Sequence, residues 1–252
     1  MREAKESKMN RLGVLLLACA AFGSGCSASN YAIYILRNQV LTDGCNVPDG
    51  SGTDYRAAGQ LDVTDPEPGT NFENPGYFFA AAVANGTVAS KVEPNAHLFY
   101  LQGADVELRS NGSDASDALI AAMSSRSLDK RTQRFSGSIP PSSTAGVGFF
   151  LIDADQTLAM NDVLSTTPVQ VIARARIFGS LDNSDFEADP FEYPITVCKG
   201  CAVNFIGACP DSTTADPNVG GTCNPLQDGL LDCCSDTAGA TVCPPPVMTP
   251  GG

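Results

Sequence analysis

The clearest signal along the chain is a period of two. Over residues 169–178, Val169, Val171, Ala173, Ala175 and Ile177 alternate with Gln170, Ile172, Arg174, Arg176 and Phe178. A strand turns successive side chains to opposite faces, so this run predicts one buried and one wet face, as in an antiparallel sheet with solvent on one side. Stretches rich in β-branched and aromatic residues predict further strands at 31–41, 60–64, 77–84, 98–108, 132–139, 147–152 and 191–197. Their spacing predicts an all-β fold, an antiparallel β-sandwich that is immunoglobulin-like in architecture. In the last of these strands Pro194 cannot donate to a ladder, which predicts an edge or a bulge there. A single stretch reads as helix, 114–125, with Ser and Asp able to cap its start and Ala118, Leu119, Ala121, Ala122 and Met123 clustered within it. Residues 42–59 collect Gly, Pro, Asp and Ser around Cys45 and predict a loop.

A different pattern opens the chain. Lys8 and Arg11 precede an apolar run over 12–22, long enough for the core of an export signal and too short to span a bilayer. Met9-Asn10-Arg11 would make a cleaner start than the acidic residues before it. Gly23, Ser24 and Gly25 then leave the backbone open to a peptidase, and Cys26 follows directly. This Phe22-Gly23-Ser24-Gly25-Cys26 junction resembles the lipobox of bacterial lipoproteins, although Gly23 stands where a Leu is usual. The resemblance implies that Cys26 becomes the acylated N-terminus, and Ser27 is similar to what lipoproteins sent to the outer membrane carry. Leu16-Leu17-Ala18-Cys19 fits the lipobox better but leaves too short an apolar run ahead of the cut. The alternative is simple secretion, with cleavage near Gly25.

The resulting organisation is a signal peptide over 1–25, a tether over 26–30, a β-sandwich domain over 31–197, a cysteine-rich module over 198–243 and a flexible Pro/Gly tail over 244–252. The net charge of −13 becomes more negative once the positive leader is removed. Such a surface disfavours nucleic acid and anionic headgroups, and with no second apolar run of spanning length any membrane attachment is expected to come through lipid on Cys26.

The tail changes what the cysteines mean. Seven of the ten fall within 198–243, a density above the ~8–10 % that marks a disulfide scaffold. They are Cys198, Cys201, Cys209, Cys223, Cys233, Cys234 and Cys243, an odd number, and Cys45 is the remaining mature thiol besides Cys26. Full oxidation therefore requires Cys45 to pair with a tail cysteine. Bridging the neighbours Cys233 and Cys234 is strained, so each is expected to pair elsewhere. Eight cysteines allow on the order of 100 connectivities, among which sequence does not choose. Cys198-Lys199-Gly200-Cys201 also has the spacing of half a zinc site or a redox motif, but it lacks a second C-x2-C knuckle and follows a strand rather than opening a helix.

Other candidate chemistry is sparse. The lone histidine, His97, has no nucleophile elbow near it, which argues against a Ser-His-Asp enzyme. Asp153 with Asp155, and the run containing Asp182, Asp185 and Glu187, are weak calcium candidates without the EF-hand order, and turns use the same residues. The chain has no Trp, which weakens a sugar-binding platform. Gly146 and Gly148 have no following helix and cradle no phosphate. No cofactor is expected.

The lipobox-like cysteine, the Phe-x-Tyr-Pro-Ile-Thr-Val-Cys-x-x-Cys junction at 191–201 and the Cys-Asn-Pro-Leu-Gln-Asp-Gly…Cys-Cys run at 223–234 together resemble a group of cysteine-rich envelope lipoproteins of myxobacteria and their relatives. The resemblance implies location and architecture and carries no catalytic residue. The expectation is a non-enzymatic lipoprotein of the cell outer membrane with a structural or partner-binding role, its partner a protein or an envelope glycan. The alternatives are a glycan- or calcium-binding module, or a metal-binding or redox protein using Cys198 and Cys201.

Overall fold

The alternating stretch forms the longest strand of the protein. In the computed structural model, which describes residues 32–42, 45–64, 74–93, 96–208, 218–221, 223–235 and 241–243, strand β8 (Val169–Leu181) buries Val169, Val171, Ala173, Ala175 and Ile177 and leaves the alternate positions partly or fully exposed. The other strands are β1 (Ile33–Gln39), β2 (Tyr55–Arg56), β3 (Gly59–Asp62), β4 (Gly76–Asn85), β5 (Phe99–Ser110), β6 (Lys130–Ile139), β7 (Ser143–Asp153), β9 (Ser184–Glu187), β10 (Phe191–Cys198), β11 (Val203–Ala208), β12 (Leu231–Ser235) and β13 (Thr241–Val242). Two helices occur among the described residues, α1 (Asp114–Ser125) and α2 (Ala154–Val163). Neither is long and apolar enough to cross a membrane. The leader, the tether with Cys26, Cys209 and the tail over 244–252 lie outside the described residues.

The protein is mostly β, in three sheets. One has the order β2-β1-β4-β7, a second β3-β10-β8-β5-β6 with β9 paired to β8, and a third β11-β12-β13. The first two share one core, in which Phe79 of β4 lies 5.4 Å from Phe149 of β7 and 5.3 Å from Tyr193 of β10, ring centre to ring centre. Phe135 of β6 stacks on Phe149 at 5.8 Å. At the open edge of β7 the amide of Gln133 on β6 donates to the Phe150 carbonyl at 2.5 Å and accepts from the Phe150 N–H at 2.9 Å. A side chain thus satisfies backbone groups that no neighbouring strand covers.

Several sequence expectations need correction. The sheets are not wholly antiparallel: β3 runs parallel to β10, and β11 parallel to β12. A second helix follows β7, where Asp153 caps α2 by accepting from the Gln156 N–H at 2.8 Å while the Gln156 side chain accepts from the Asp153 N–H at 2.8 Å. Asp153 is thus the acceptor of a capping box, and the pattern D-A-D-Q holds its signature. The tail contributes three strands that its composition did not predict. Strand β10 is interior over Ile195–Cys198, where β3 covers it, but at Pro194 only β8 is paired. Pro194 therefore sits where the strand is still an edge.

The described residues, all at or beyond Ala32, form one compact unit, the described part of the cysteine-rich module included. Segment 226–228 lies along β3, with the Asp62 N–H donating to the Leu226 carbonyl at 2.9 Å and the Asp228 N–H to the Gln60 carbonyl at 3.0 Å. On the far side of β4, Gly146 leaves the space in which the Pro48 carbonyl sits, so the loop after β1 lies flat on that sheet.

Candidate functional site

The chemically dense part of the molecule is the junction between the tail and the two main sheets. A disulfide joins Cys45 in the loop after β1 to Cys223, with Cα atoms 5.0 Å apart. Cys198–Cys201 and Cys233–Cys243 are also bonded, and Cys234 is in a disulfide as well. The adjacent Cys233 and Cys234 are thus not bonded to each other.

Beside these bridges lie two buried carboxylates. Parallel pairing sets Asp62 of β3 level with Cys198 of β10. The Asp62 side chain is fully buried and accepts four hydrogen bonds: from the Thr64 N–H (2.9 Å) and hydroxyl (2.6 Å), the Gly200 N–H (2.9 Å) and the Ala202 N–H (2.8 Å). It thereby ties down both sides of the C-x-x-C turn. Asp62, Cys198 and Cys201 bring their ligand atoms within 4.8 Å of one another, the one such group of metal-ligating residues among those described.

The second carboxylate, Asp228, accepts from the Gln60 N–H at 2.7 Å and the Tyr77 hydroxyl at 2.9 Å, with the Arg56 guanidinium 3.5 Å away. The Tyr77 hydroxyl lies 3.1 Å from that of Tyr193, and the Asn38 amide donates to both, at 3.3 and 2.9 Å. Burial, reinforced by the Asp228 charge, pushes the Tyr77 phenol far above its ordinary value. Its hydroxyl donates to Asp228. Gln227 completes the junction by pairing its amide with the Phe78 N–H and carbonyl, both at 2.8 Å. A polar cleft of about 120 Å³ remains between Asn38, Arg56, Asn224 and Asp228.

The remaining candidates are dispersed. Asp182 does not join Asp185 and Glu187: it occupies the two-residue β8–β9 turn with Asn183, both at positive φ (51° and 60°), the hairpin form that Asp and Asn favour. Its carboxylate lies 2.6 Å from the His97 ring nitrogen Nδ1 and accepts from the His97 N–H at 3.0 Å. The ring contact holds the Asp182 carboxyl below its ordinary value. Glu187 pairs with Arg176 at 3.0 Å. Among the described residues, the three weak calcium candidates do not form a metal-holding group.

The wet face of the six-stranded sheet carries a groove of about 310 Å³. Cross-strand pairing brings Glu107 between Lys130 and Arg174, at 3.0 and 3.8 Å, with Arg109 at 2.7 Å. Burial pushes the Glu107 carboxyl up, but hydrogen bonds from Lys130 and Arg109 outweigh it and hold it below its ordinary value. Sequence periodicity located Arg174 and Arg176 on this face but not Lys130 or Glu107, because strand register lies beyond a single strand's pattern.

Comparison with protein-family models, curated proteins and solved structures found no match. Function must therefore be argued from the site itself.

Proposed function

We propose that the protein is a non-enzymatic cell-envelope lipoprotein, anchored in the outer membrane through lipid on Cys26, whose stapled body presents a surface to a protein or glycan partner. We read the body as a β-sandwich made of the four- and six-stranded sheets, immunoglobulin-like in having two facing sheets rather than in strand order. The observation that supports the reading most is the Cys45–Cys223 bridge. A link between the first strand's loop and the tail makes sense in a chain that works oxidised, outside the reducing cytoplasm. The polar groups of the junction are consistent with it, since they are spent on one another.

A second reading, glycan binding, is favoured by the groove lined by Lys130, Arg174, Arg176, Asp105 and Glu107, where planar charged groups alternate with acceptors.

The test is labelling of expressing cells with an alkyne fatty acid, together with thiol alkylation of the native protein. The reading requires label on the wild type, none on Cys26→Ser, membrane fractionation that depends on Cys26, and no alkylated cysteine. A cytoplasmic protein with several free thiols would overturn it. A rise in melting temperature with a charged oligosaccharide, abolished by Arg174→Ala, would favour glycan binding.

A further inference from the structure

We propose that the Cys198–Cys201 turn is a redox-gated site for a thiophilic divalent cation of the zinc class, held by the two thiolates and the Asp62 carboxylate once the disulfide is opened. Three features carry it. The ligand atoms are already within 4.8 Å of one another, and two thiolates with one carboxylate make a ligand set that zinc accepts, leaving a fourth position for solvent or the neighbouring Gln60 side chain. The turn is held by more than the disulfide, because Asp62 accepts from the Gly200 and Ala202 N–H groups on either side of Cys201. No cation among the described residues forms an ion pair with Asp62, so a dication held between the two sulfurs and the carboxylate meets no competing positive charge there.

Access is from the Cys201 side, since Cys198 is fully buried and Cys201 only half-buried. The reductant is a protein or small-molecule dithiol. Its first thiolate attacks the Cys201 sulfur and Cys198 leaves as thiolate; its second thiolate then resolves the mixed disulfide and releases Cys201. Overall, dithiol, protein disulfide and M²⁺ give oxidised dithiol, the metal dithiolate and two protons. The inference goes beyond the envelope role and does not depend on Cys26.

The experiment is cobalt(II) titration of the full chain before and after dithiothreitol treatment, read by the thiolate-to-cobalt charge-transfer band and by native mass spectrometry. The result expected is one cobalt per reduced wild-type chain with the sheet circular-dichroism signal retained, none on the oxidised chain, none on Cys198→Ala/Cys201→Ala, and at least tenfold weaker binding by Asp62→Asn. Any of four results overturns it: no cobalt on the reduced wild type, equal uptake by the cysteine variant, undiminished affinity in Asp62→Asn, or uptake only as the sheet signal is lost, which would assign the metal to unfolded cysteines.

Discussion

Removing Cys45–Cys223, Cys233–Cys243 and Cys198–Cys201 one at a time, as paired Cys→Ala variants, should destabilise the protein in the order of the loops they close. The bridged residues are separated by 178 positions for Cys45–Cys223, 10 for Cys233–Cys243 and 3 for Cys198–Cys201. Treating each bridge as a restriction on the unfolded chain gives about 5, about 2.7 and about 1.6 kcal/mol at 25 °C. Truncating the buried Cys198 and Cys233 adds on the order of 1 kcal/mol to the two smaller figures, too little to invert the order. Guanidinium unfolding of the non-reduced variants, extrapolated to water at matched slope, measures all three. If Cys198→Ala/Cys201→Ala cost as much as Cys45→Ala/Cys223→Ala, unfolded-chain entropy would not be what these bridges contribute, and the reasoning would fail.

Asp228→Ala leaves the Gln60 N–H and the buried Tyr77 hydroxyl short of an acceptor; a loss of about 2–4 kcal/mol is expected, with faster proteolysis of the tail at native temperature. Gly146→Ala drives a methyl group into the Pro48 carbonyl, and the melting curve should report about 1–3 kcal/mol of overpacking. Asp232 should make the tail acid-sensitive: a hydrogen bond from the Asn218 N–H, then one from the Asn204 amide, holds its carboxyl below the ordinary value of 3.8. Because the folded-state pKa is depressed, its contribution is fully present above the unfolded pKa near 3.8 and lost as pH falls through the lower folded value. Hydrogen exchange at Asn218 against pH checks this, and Asp232→Asn should flatten the profile.

Part of the strand layout was legible because some strands bury one face and wet the other, so β8 announced itself through its alternating valines and alanines and α1 through its caps and apolar cluster. The second helix was hidden because α2 carries its polar and apolar residues without a clean stripe: Gln156 and Thr157 are buried while Leu158 is exposed. Its one legible mark, Asp153 followed by Gln156, reads equally as a turn. Cysteine parity pointed Cys45 toward the tail, and the partner is Cys223. Nothing local could reveal that Asp62 and Asp228 meet tail or sheet groups more than a hundred residues away, since those meetings follow from β3 running parallel to β10 and from segment 226–228 lying along β3. A strand's own pattern records neither which distant segment it pairs with nor in which direction.

The Cys45–Cys223 link also constrains the order in which the protein can mature. On the envelope reading proposed above, a chain emerging N-terminus first into an oxidising space presents Cys45 long before Cys223, and the next cysteines to arrive are Cys198 and Cys201. Oxidation in order of emergence would couple Cys45 to one of them and strand the other. The native pattern is therefore non-sequential: it needs either a Cys45 thiol that stays reduced until nearly the whole chain is across, or a later reshuffling step by a disulfide isomerase. Yield from a host should thus track its isomerase rather than its oxidase.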